Sequence, residues 1–73
     1  MAGERKRLEI DALLYHVTAL YQEDELRTRE ERVVKITHSV RKSQEMSPPE
    51  KERIRMLLAE REWEMLKGYL ETL

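Results

Sequence analysis

Between Glu4 and Glu45 the chain contains no glycine, proline or asparagine, and its only two prolines stand side by side at positions 48 and 49. No strong breaker therefore interrupts this region, which is helix-compatible along its length. The one clear punctuation mark is Ser47-Pro48-Pro49-Glu50. Ser47 is a good N-cap, since its hydroxyl can accept from an unpaired N–H of the first turn. Pro48 suits the first helical position, and Glu50 stands three residues after the cap, as a capping box requires. Beyond it, Ile54, Met56, Leu58, Ala59, Trp63, Met65, Leu66, Tyr69, Leu70 and Leu73 cover an arc of roughly 200° when projected on one helix. A helix resting on one neighbour needs about half that width, so this segment expects two neighbours.

The first part of the chain carries two apolar patterns. Ile10, Leu13, Leu14, Val17, Leu20 and Tyr21 recur at i, i+3, i+4, i+7 spacing, the signature of an amphipathic helix. Leu8, Ala12, Tyr15, Ala19, Leu26, Val33, Ile36 and Val40 fit a heptad frame with 12, 19, 26, 33 and 40 at a and 8, 15, 22, 29, 36 and 43 at d. That frame crosses the polar run Gln22-Glu23-Asp24-Glu25 without a phase shift, which favours one long helix over about residues 4–45. The alternative is a break near residues 23–28, where Thr28 and Glu31 have capping-box spacing. The predicted fold is therefore a single all-α domain over 1–73, a helical hairpin closed by a second helix over about 48–72. Two apolar seams on one helix predict a homodimer, an antiparallel four-helix-type bundle, with a monomeric three-helix bundle if the break forms. The predicted interface comprises Leu8, Ile10, Ala12, Leu13, Leu14, Tyr15, Val17, Ala19, Leu20 and Tyr21.

At 73 residues, one hydrophobic core is marginal without a staple, and the absence of cysteine excludes disulfides and thiolate metal sites. Oligomerisation is the staple that remains. With 15 acidic and 14 basic residues there is no global charge to attract a nucleic acid or membrane, and no apolar run is long enough to span one. A cytoplasmic protein is the default expectation. The lack of Asn and Cys with 40% charged residues resembles the composition of heat-adapted proteins, and plain helical bias explains it as well.

Catalytic chemistry finds little to work with. No glycine-rich phosphate loop or nucleophile elbow occurs, and His16 and His38 lack a carboxylate or second histidine at helical metal-ligand spacing. The expectation is a non-enzymatic protein with no cofactor, no metal and no small-molecule substrate. One local asymmetry stands out: Arg27, Arg29, Arg32, Lys35, Arg41 and Lys42 against Glu30 and Glu31 between positions 27 and 42. Lys35, His38, Arg41 and Lys42 share one face and are candidate nucleic-acid contacts, although no aromatic side chain is interleaved for base stacking. The first functional reading is a protein–protein interaction module, such as a small assembly factor, chaperone or adaptor. It binds itself and another protein through helical seams. The second is a small nucleic-acid-binding regulator using the 27–42 face.

Overall fold

The computed structural model describes residues 2–73 and shows an all-α chain of four helices: α1 (Ala2–Gln22), α2 (Leu26–Lys42), α3 (Pro48–Ala59) and α4 (Trp63–Thr72). No strand occurs among the described residues. The proline turn forms as its sequence predicts. Ser47 Oγ accepts from the Glu50 N–H at 3.4 Å, and Glu50 Oε1 accepts from the Ser47 N–H at 2.8 Å. The preceding connection is held by Ser43, whose buried hydroxyl accepts from the Glu45 and Met46 N–H groups, both at 3.2 Å. That fold of the backbone turns Met46 into the core.

The single long helix expected over 4–45 is broken at Glu23-Asp24-Glu25. The physical reason lies in the two stripes. On a continuous helix Leu20 and Ile36 would lie about 160° apart, so one core could not receive both. Unwinding the polar run, which has no apolar side chain to lose from burial, folds α2 back so that the stripes converge. Glu25 adopts an extended conformation (φ −80°, ψ 120°) ahead of α2. Arg29 then reaches back from α2 and donates from its guanidinium to the Glu23 carbonyl. Since α1 has no basic residue in its own last turn, this is the cation that meets the negative end of its dipole. Thr28, the other candidate cap, lies inside α2.

The helix expected over 48–72 is also interrupted, at residues 60–62, where neither glycine nor proline announces a stop. Arg61 takes a left-handed conformation with φ 59°. Its N–H donates to the Leu58 carbonyl at 3.1 Å and the Glu62 N–H donates to the Leu57 carbonyl at 3.0 Å. This is a Schellman stop with arginine in the place glycine usually holds. The 200° apolar arc is the trace of this bend. Ile54, Leu57 and Leu58 of α3 and Leu66 and Leu70 of α4 span about 220° on a straight helix, and the turn brings them to one interior.

The helices alternate in direction. Lys6 of α1 meets Glu50 at the start of α3, and Arg61 at the end of α3 meets Glu30 near the start of α2. In cross-section α1 lies between α2 and α4, and α3 closes the square on the far side. Twelve apolar side chains form the core: Ile10, Leu13, Val17, Leu20, Ile36, Val40, Met46, Ile54, Leu57, Leu58, Leu66 and Leu70. The chain thus completes a four-helix interior by itself. The stripe Ile10–Leu13–Val17–Leu20, which a two-helix hairpin would leave for a second copy, is covered by the chain's own helices.

Candidate interaction surfaces

Of the ten residues predicted for an interface, Ile10, Leu13, Val17 and Leu20 are therefore core residues. Leu14 is half-buried and packs on the core edge. Tyr21 is partly exposed beside α4, its phenol pushed above its ordinary pKa by burial and by the Glu64 and Glu71 carboxylates. What remains on the outside is the heptad half of the pattern. Leu8 is 69% exposed and Tyr15 72%, with exposed Ala12 between them and half-buried Ala19 one turn further on. At 100° per residue these four fall within about 60° of each other on α1. They form a narrow apolar strip that turns its back on the core. Polar residues bound it at both ends, Arg5 and Gln22 occupying the adjacent positions of the same frame.

The strip has distinct flanks. On one side, Glu9, Ala12, Leu13 and His16 of α1 and Ser39, Lys42, Ser43 and Met46 line a groove of about 320 Å³ between α1 and α2. On the other, Asp11, Leu14, Thr18 and Tyr21 border α4. His16 lies 2.9 Å through Nδ1 from an Nη1 of Arg32. Guanidinium nitrogens only donate, so Nδ1 accepts and the imidazole proton resides on Nε2. Burial holds the His16 pKa below its ordinary value, and the cations Arg32 and Lys35 add to that effect. The imidazole is neutral at pH 7, with Nε2 as a donor. The Tyr15 ring meets it edge-on, at 5.7 Å between centroids.

The second surface is the outside of α2. Lys35, His38, Arg41 and Lys42 are all exposed there, around a Val34 that is 66% exposed. None of the four has an ion-pair partner among the described residues. The other α2 cations are engaged. Arg27 pairs with Glu31 at 3.6 Å, Arg29 holds the end of α1, and Arg32 holds His16. Lys42 and Lys35 lie toward the α1 side of the face, and Arg41 toward α3. α4, diagonally across the bundle, exposes Glu64, Lys67 and Glu71.

Sequence reasoning did not find Arg29, Arg32 or Arg61, whose contacts hold helix ends and corners. Their signal was present only as surplus arginine on an amphipathic pattern, which reads as solvated surface. Glu50 was found as a cap, and it does more. Its pKa is held down by the Ser47 backbone N–H and then by the Lys6 ammonium, 3.0 Å away. No group of three or more His, Cys, Asp and Glu side chains converges among the described residues, and no described helix is long and apolar enough to cross a membrane. No protein-family model, curated protein or solved structure matches the chain.

Proposed function

We propose that the protein is a non-enzymatic interaction module that self-associates through the outer strip of α1, leaving its other faces for a second partner. The observation that carries this reading is the strip itself: Leu8 and Tyr15 are, among the described residues, the two most exposed of the large apolar side chains, and they alternate with Ala12 and Ala19 on one line. An antiparallel pairing with a second copy matches that alternation. Placing residue 8 opposite 19 and residue 12 opposite 15 puts a large side chain against an alanine in all four layers. A parallel pairing would instead stack Tyr15 on Tyr15 and face alanine with alanine, leaving gaps. The antiparallel register also brings Glu9 beside His16 of the partner subunit on one flank and Asp11 beside Thr18 of the partner subunit on the other. No like charges meet, and the Nε2 proton of His16 gains a carboxylate acceptor.

Four layers are fewer than a standard interface of about 800 Å² per partner provides, so a micromolar or weaker dimer is expected. A small adaptor or assembly factor is the role such a reversible pair supports. Sedimentation velocity from about 10 μM to about 1 mM tests it, a range that brackets such affinities. The expected result is a concentration-dependent shift from monomer to dimer that Leu8→Gln/Tyr15→Gln removes without loss of helicity. A wild-type chain that stays monomeric across the range refutes the reading.

A further inference from the structure

We infer that pairing through α1 gathers the basic α2 faces of two copies onto one side of the dimer, forming a docking surface for the phosphate backbone of a nucleic-acid duplex. The inference rests on the antiparallel dimer proposed above. Its geometry follows from which flank of the strip each neighbour occupies. α2 borders α1 along Glu9 and His16, while α4 borders it along Asp11 and Thr18. In an antiparallel helix pair the twofold axis runs perpendicular to the plane of the two helices. A residue on one side of that plane therefore meets its symmetry mate on the same side. Both α2 helices consequently lie on one face of the dimer and both α4 helices on the other.

This arrangement separates charge. One face carries Lys35, Arg41 and Lys42 twice over, with His38 and the exposed Val34 among them; the other carries Asp11, Glu64 and Glu71 twice, against Arg7 and Lys67. Of the acidic groups on the basic side, Glu31 is paired with Arg27, Glu30 with Arg61, and Glu9 in the proposed register faces His16 of the partner subunit, while Asp24, Glu25 and Glu45 stand in the connections at the two ends of α2. The pairing centre falls between residues 13 and 14 of α1, and the contact of His16 with Arg32 sets the level of α2 beside it. Lys35 and Lys42 of each copy thus flank the twofold axis, on the edge of α2 nearest α1. Pairing doubles, on one side of the dimer, the basic face that each chain exposes, which is how a net charge of −1 is reconciled with polyanion binding. A duplex fits this surface better than an acidic peptide does. It is rigid, its phosphates are regularly spaced, and it carries local twofold symmetry that presents both copies with the same contacts. Readout is expected at the backbone, since α2 carries no tryptophan, tyrosine or phenylalanine to stack on a base.

Fluorescence anisotropy with a labelled duplex of arbitrary sequence, combined with sedimentation of the same samples, tests the inference. Six phosphate contacts give a log–log salt slope of about −5, or roughly a 1,000-fold loss of affinity between 50 and 200 mM salt. Lys35→Glu/Lys42→Glu is expected to remain a dimer, to lower the slope toward about −2 and to weaken binding at least about 100-fold at low salt. Leu8→Gln/Tyr15→Gln leaves every α2 charge in place and is expected to lose binding because it cannot pair. By reciprocity, duplex strengthens dimerisation of the wild-type chain. A wild-type dimer that ignores the duplex overturns the inference and leaves the dimer standing, whereas a chain that is monomeric at every concentration overturns both. Equal binding by Leu8→Gln/Tyr15→Gln and wild type overturns the gathered face. Tighter binding to polyglutamate than to duplex assigns the surface to an acidic protein and overturns it too.

Discussion

At Arg61 the sequence-level expectation and the structure predict opposite signs for one measurement. Residue 61 would be interior to a continuous helix over 48–72, and there Ala is better than Gly by about 1 kcal/mol. In the structure it occupies the left-handed turn at φ 59°, where a side chain with a β-carbon is disfavoured by about 1–2 kcal/mol and glycine is not. Comparing Arg61→Gly with Arg61→Ala isolates this backbone difference, because both variants lose the same side-chain contacts. Those contacts are the pair with Glu30 at 2.8 Å, the bond to the Leu58 carbonyl at 3.1 Å and the guanidinium 6.0 Å from the Trp63 ring centroid. The side chains of Arg61 and Glu30 are half exposed, so the ion pair contributes up to about 1 kcal/mol, and the contact with Trp63 about as much again. Arg61→Ala forfeits these and keeps the strain. Arg61→Gly forfeits them and relieves it, at some cost from a more flexible unfolded chain. The glycine variant is therefore expected to be about 1 kcal/mol more stable than the alanine variant, recovering part of what the lost contacts cost relative to wild type. In urea unfolding this separates the two midpoints, and in thermal melts it corresponds to about 4–8 °C for a domain of this size. Alanine equal to or more stable than glycine would show that α3 and α4 do not part at a left-handed Arg61.

Two further outcomes follow from the core and from the α1–α2 contact. Leu13→Ala, in the core, is expected to cost about 2–5 kcal/mol, whereas Leu8→Ala, on the outer strip, is expected to stay within about 0.5 kcal/mol for the dilute monomer; urea titrations of the two variants side by side check which stripe the chain buries. His16 is held neutral in the folded chain, so below about pH 6.5 the unfolded chain binds the extra proton more readily. Its contribution is present above that pH and is lost as pH falls through the lower folded pKa, and His16→Gln, which still offers Arg32 an acceptor, is expected to flatten the decline in stability between pH 7 and pH 5.

The helical class and the proline turn were legible because their causes are local: a capping box is four residues long, and a stripe repeats within two turns. Where helices end was harder. The run Gln22–Glu25 is polar but helix-compatible, and it unwinds because Leu20 and Ile36 must reach one core, a requirement no local window contains. Arg61 shows the limit more sharply, since nothing about an arginine marks a left-handed turn. The one trace was the arc of about 200°, too wide for a straight helix on one neighbour; two neighbours and a bend are both solutions to it. The same ambiguity governed the interface residues. The stripes from Ile10 to Tyr21 and from Leu8 to Ala19 were both visible, and the breaks at residues 23–25 and 60–62 together decide that the chain can cover the first of them alone.

Glu50 joins two events that seem unrelated along the chain. One of its oxygens closes the capping box on the Ser47 N–H while the same carboxylate receives the Lys6 ammonium, 44 residues away in sequence. Fraying of the first turns of α1 therefore draws an ion away from the group that starts α3, and loosening of the α3 cap frees the tether on α1. Helix ends ordinarily open one at a time and independently. Here the beginning of α1 and the beginning of α3 are expected to open together, as a single low-energy excursion at one end of the bundle, while the end fastened by Arg61 and Glu30 stays closed.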